Sequence, residues 1–389
     1  MNKAPHGDEI SAIDVINEFD FSTQNDSYNE KYVNWRKNKK NPFAFNYSKN
    51  PKESIFNDSR GFETTTFADA EKRAVTNIMH IIGISMLIAI VIDTIISKFL
   101  VLIFNALGLN INVNIFGSGY YGGSTEIVGM IVLISVLKLL VPAIYIHTRL
   151  KLPFRVEFMS NVKSSTEIVN AIAITLMVCT VACLPAAYSN DVQDIYAFFM
   201  SDGTDDVSFW GQSDFIFYLI FNILVIPIVS ELFFRGAIFA ALRQFGDVFA
   251  TIVTAVTACL LTRDFTEMPA AILISVVASL GMLRSGTIIT AFFVRIIYRM
   301  YSFAIIILSG SNSFKALVHR NTFMLVTFIV GAVTFILIYL AGRSKEKHHI
   351  ALYKSHTSTL RRYSAAAKAF PYSVMAIICI FEAAFRFLF

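Results

Sequence analysis

Apolar runs of about 20 residues recur along this chain of 389 residues. That length matches the ~30 Å hydrocarbon core of a bilayer. Inside lipid a backbone must satisfy its own hydrogen bonds, which leaves helices or closed barrels as spanning structures. Residues here are 55% hydrophobic and 16% charged, against ~25% charged in ordinary soluble domains. The expected fold is therefore all-α, a polytopic membrane bundle of about eight transmembrane helices. The runs place spans at about 77–106, 126–148, 166–188, 214–243, 248–264, 268–284, 287–309 and 322–342.

Three regions follow from this pattern. Residues 1–72 are polar and interrupted by Pro42 and Pro51, so they predict a mostly disordered tail. Within it, Arg36, Lys37, Lys39 and Lys40 form a basic run that either lies near anionic headgroups or is simply solvated. Residues 73–342 hold the eight spans, and 343–389 form a basic segment with a final apolar stretch. That stretch, 369–389, carries Glu382 and Arg386 four residues apart. It fits an interfacial amphipathic helix or a ninth span. The polar start, MNKAPHGDEI, lacks the apolar region of a signal peptide. Cys179, Cys183, Cys259 and Cys379 all sit in apolar segments, where they read as small hydrophobes.

Loop charges set the expected orientation. Arg149, Lys151, Arg155 and Lys163 fall between spans two and three, and seven Lys or Arg residues from Arg343 to Lys368 follow span eight. The loops after spans one and three carry no Lys or Arg. By the positive-inside rule the N-terminal tail is cytoplasmic, with Lys315 and Arg320 as exceptions on the outer side. The expected location is a cell membrane, the bacterial cytoplasmic membrane.

Charges inside the spans are the functional signal, because a charge at membrane depth costs roughly 2.5–3.5 kcal/mol on insertion scales. Glu231 and Arg235 share a helix face in the stretch PIVSELFFRG, with Glu leading, the favourable order. Asp93 and Lys138 are expected to pair across spans one and two as structural glue, with a proton relay as the alternative. Glu126 lies at a span end, where headgroup exposure accounts for it.

PIVSELFFRG resembles the first motif of the CAAX-protease and bacteriocin-processing (CPBP) family of intramembrane endopeptidases, Glu-Glu-x-x-x-Arg continuing into Phe-Arg-Gly. The likeness extends through Ala241-Leu242-Arg243 and Gly246 to Gly281-Met282-Leu283-Arg284-Ser285-Gly286-Thr287, similar to the turn before the family's last catalytic helix. It covers about 214–305 and implies a CAAX-protease-like bundle. The matched catalytic positions differ. Ser230 stands where the family has a water-activating Glu, Arg263 where it has His, and Arg295 and Arg299 where it has His and Asn. No histidine lies between 148 and 318, so no register supplies the imidazoles.

Hydrolysis by this design needs a proton acceptor and oxyanion donors. Ser230 has no useful basicity, and Arg stays protonated near neutral pH. Glu231 is the remaining carboxylate, about 100° round the helix from Ser230. Two functions are carried forward. One is an inactive relative that binds a peptide or anionic lipid through Ser230, Arg263, Arg295 and Arg299. The other is a working endopeptidase with Glu231 as displaced base beside Arg235. In a third reading the arginines snorkel to the interface or pair with Asp264 and Glu267. A transporter has matching buried charges, but the chain shows no visible repeats. No cofactor, metal set or nucleic-acid partner is expected; membrane lipids are.

Overall fold

The computed structural model describes residues 24–38, 41–43, 55–57, 61–63, 67–114, 120–184, 211–309, 314–342, 352–353 and 358–388. Helices dominate. Among the described residues, eight are long and apolar enough to cross a membrane: Glu71–Ala106, Ser124–Leu150, Ser165–Ala182, Ser213–Phe245, Met268–Ser285, Ile289–Leu308, Lys315–Ala341 and Phe370–Phe387. Short antiparallel hairpins pair Ile55–Asn57 with Gly61–Glu63 and Ile111–Val113 with Tyr120–Gly122.

The count of eight agrees with the expectation, but its membership differs. The predicted fifth span is a shorter helix, Asp247–Thr262, of 16 residues. It rises about 24 Å, just short of a ~30 Å core. The final stretch, left open between two readings, is the helix Phe370–Leu388, packed on Phe67–Val91. The two run parallel in one register. Thr76 donates to the carbonyl of Ala365, 289 residues away. The same offset relates Gly83 to Tyr372, which touch, and Asp93 to Glu382, which share a partner. Thr257 hydrogen-bonds Tyr372 at 3.1 Å, and Arg263 reaches Glu382, so Asp247–Thr262 runs the same way. A common direction for these three helices is what alternating crossings of every apolar helix produce.

The tail departs from the expectation of disorder at Asp26–Lys37, which is helical. Asn25 caps it by accepting from the Tyr28 amide, and Tyr28, Tyr32 and Trp35 are buried. The Trp35 indole donates to the Leu150 carbonyl at 2.9 Å, and the Tyr32 hydroxyl donates to the Ala240 carbonyl at 3.1 Å. Tyr28 meets Arg243, which pairs with Asp247 at 2.8 Å. Tyr28, Tyr32 and Trp35 lie about one helical turn apart and form one face. Arg36, expected in solvent or near headgroups, is fully buried. Burial lowers its pKa, opposed by Tyr353, Tyr32 and Glu71. Lys37 is exposed, and Lys39 and Lys40 lie outside the described residues. Tyr32→Phe, which removes one buried hydrogen bond, should cost about 1 kcal/mol and raise hydrogen exchange across 26–37 ahead of the bundle.

Helix packing is close where small residues meet. A Cβ on Gly281 would fall 2.9 Å from the Ala171 methyl, and one on Gly331 would fall 2.7 Å from the Ala173 carbonyl. These contacts draw Ser165–Ala182 against Met268–Ser285 and Phe314–Gly342. All four cysteines are buried free thiols, two of them (Cys179 and Cys183) in an apolar cluster with Ala171, Ile274 and Ala278.

Candidate functional site

A cavity of about 410 Å³ opens among the spans, a size within the range of small-ligand pockets. Its wall includes Ser230, Arg263, Arg295 and Arg299, residues 69 positions apart in sequence at the extremes of the set. Three separate segments bring them together. Ser230 comes from Ile226–Glu231, Arg263 from the end of Asp247–Thr262, and the other two from Ile289–Ser309. Spacing of four residues puts Arg295 and Arg299 on one helix face.

Glu231 and Arg235 lie behind the wall rather than on it. Glu231 is wholly buried between two guanidinium groups, with Arg295 Nε at 2.8 Å and Arg235 Nη1 at 3.0 Å. Arg235 also donates to the hydroxyl of Ser275 at 2.8 Å and to its carbonyl. The helix widens into a π-helix over Leu232–Phe239, a distortion common at functional sites. Ser230 turns the other way, its hydroxyl donating to the Pro227 carbonyl at 2.8 Å.

A second set of charges closes the opposite side. Lys138 Nζ sits 3.2 Å from Asp93, the pairing expected from the sequence. Asp93 also holds Arg263. Arg263 is shared with Glu382 at 3.1 Å, and Glu382 is shared with Arg386 at 2.8 Å. Each carboxylate thus bridges two cations, which offsets the cost of desolvating them. Arg263 adopts a left-handed backbone, φ 54°, unusual for a non-glycine residue. That conformation ends its helix and turns the side chain into the ion-pair chain.

The expected pairing of the arginines with Asp264 and Glu267 is not what forms. Arg263 and Arg295 take Asp93, Glu382 and Glu231 instead. Asp264 accepts from the Thr266 amide and hydroxyl, each at 2.8 Å, within its own turn. Glu267 is exposed at the rim. Arg299 has no ion-pair partner among the described residues; its guanidinium lies over the neighbouring Tyr298 ring at 6.0 Å. Snorkelling is likewise not the arrangement for Arg263 and Arg295, which are both buried.

Several wall residues were missed as site members. Asp93 and Lys138, expected to pair as structural glue in preference to relaying protons, both line the cavity. Arg386 lines it too, with Glu382 holding both it and Arg263. Their Glu-x-x-x-Arg spacing is the signal that marked Glu231 and Arg235, and it was legible in the last helix as well. Among the described residues, no group of three or more His, Cys, Asp or Glu side chains is placed to hold a metal ion.

Residues 212–301 match the model of the family described as Type II CAAX prenyl endopeptidase Rce1-like. The chain is thus a multi-pass membrane protein with an Rce1-like domain, and that domain supplies Ser230, Arg263, Arg295 and Arg299. This is the CPBP resemblance that the motif indicated. No curated protein and no solved structure matches the chain.

Proposed function

We propose that this protein is a catalytically silent relative of the CAAX-type endopeptidases, which uses the cavity to hold an anionic group, a lipid phosphate or a peptide carboxylate. One observation carries the reading. The positions matching the family's catalytic set line a single cavity and present a hydroxyl and three guanidinium groups. Those four side chains offer bidentate donors to an anion and no group to take a proton from water; the wall carboxylates Asp93, Asp264 and Glu267 are not among the matched positions. The loop charges support a cytoplasmic N-terminal tail.

The competing reading makes Glu231 a displaced base. Its carboxylate has no exposed surface, and each oxygen faces a guanidinium. Water would reach it only after both ion pairs opened.

Purified protein in liposomes, given a prenylated CAAX peptide or a leader-peptide substrate, should release no product above a protein-free control. Cleavage by the native chain that disappears in Glu231→Gln would instead establish a working peptidase. Arg295→Gln combined with Arg299→Gln should weaken anionic-lipid binding at least tenfold, the scale of one lost charge-assisted contact.

A further inference from the structure

Among the described residues, the cavity is lined by charges of both signs that no ion pair neutralises. Arg299 and Glu267 both line it. Neither has an ion-pair partner among the described residues, and they do not reach within the 4.0 Å that would pair them. Yet they share surroundings: both act electrostatically on Lys138, Tyr218 and Tyr298. Both thus present an unneutralised charge to one cavity. Arg295 stands one turn from Arg299 on the same face, and the free Oδ2 of Asp264 lies on the Glu267 side, in the same turn. The helix Ile289–Ser309 therefore offers guanidinium groups to the cavity and the turn after Arg263 offers carboxylates, while Arg263 itself is taken up by Asp93 and Glu382.

Depth suggests the source of a ligand. The turn 263–267 follows a helix of 16 residues that rises about 24 Å, so it lies at the margin of the ~30 Å hydrocarbon layer, near headgroups. It is also at the end of the bundle away from the Lys151 and Arg155 loop, since Trp35 and Arg243 cluster with Leu150 at the other end.

We infer that the cavity receives a dipolar ligand of the phosphoethanolamine type. Its phosphate lies on Arg299 and Arg295 and its primary ammonium on Glu267 and Asp264. This rests on the anion-binding reading above and adds a cationic half to the ligand. A purely anionic headgroup would bring its charge against Glu267 and Asp264 without a partner for either; a dipolar one satisfies both ends.

The test is binding to full-length protein in detergent micelles, read by native mass spectrometry. The probes are dihexanoyl phosphatidylethanolamine, its N-acetylated form, dihexanoyl phosphatidylglycerol and free O-phosphoethanolamine. The native chain should prefer the ethanolamine lipid about tenfold over the other two lipids. Glu267→Gln should erase that preference, and Arg299→Gln should weaken both ethanolamine and glycerol lipids. Both residues are unpaired, so either variant should melt with the native chain. Equal binding of ethanolamine and glycerol lipids, unchanged by Glu267→Gln, would overturn the dipolar site and leave the anion reading standing. Binding of none of the probes would remove both. Free O-phosphoethanolamine competing as tightly as the lipid would support the dipolar receptor with a soluble ligand as its source.

Discussion

Glu231→Ala should destabilise the bundle by about 3–5 kcal/mol, measured as thermal unfolding in detergent micelles. The carboxylate is the common partner of Arg235 and Arg295, and all three side chains are buried. Removing it leaves two guanidinium groups facing each other without a counter-charge. Arg235 keeps Ser275, but a neutral hydroxyl and carbonyl do not neutralise it. The loss would come from an orphaned charge rather than from a missing attraction. It follows that Glu231→Leu with Arg235→Leu and Arg295→Leu should recover most of the stability, because apolar replacement of a buried ionic triad is often neutral or better. A triple variant as unstable as Glu231→Ala would mean that the triad contributes through geometry and not through charge balance.

Gly83→Val should cost about 3 kcal/mol, at the upper end for forced overpacking. A Cβ at Gly83 would lie 2.3 Å from the backbone nitrogen of Tyr372 and 2.6 Å from the carbonyl carbon of Pro371. Backbone cannot rotate away as a side chain can, so the helix Phe370–Leu388 must shift as a unit. That shift strains the Thr257–Tyr372 contact and draws Glu382 from Arg263. Hydrogen exchange should rise first across 370–388. Gly129→Val is the control: nothing lies within 4 Å of a Cβ there, so the same substitution should change stability by no more than about 0.5 kcal/mol. Equal losses in both variants would mean that the effect comes from the helix itself and not from the junction.

The two results bear on one question, how a cavity full of charge persists in a membrane protein. Ion pairs neutralise its wall in pairs and triads, and close helix packing fixes the distances. Arg263 shows the dependence most clearly, since its two carboxylates come from the first and last spans.

Much of this was legible without coordinates. Apolar run length predicts membrane helices because bilayer thickness sets how many residues a span needs. The Asp93–Lys138 pair was legible because two opposite charges in adjacent spans have few other partners. The set Ser230, Arg263, Arg295 and Arg299 was legible through the motif, whose spacing reflects a shared cavity wall. The 26–37 helix was not legible as a docked element. Its Tyr28, Tyr32 and Trp35 form a face only against Leu150 and Ala240, which are remote in sequence.

By itself the sequence determined the class of fold and the residue types at the motif positions, because both depend on residue type alone: apolar length for one, Ser230 beside Glu231 and no histidine between 148 and 318 for the other. Tertiary structure decided which charge meets which. Glu231 could have faced the cavity, and Glu382 could have lain in the headgroups. Their partners come from helices tens to hundreds of residues away, and no local pattern encodes a contact whose two halves are brought together only by packing.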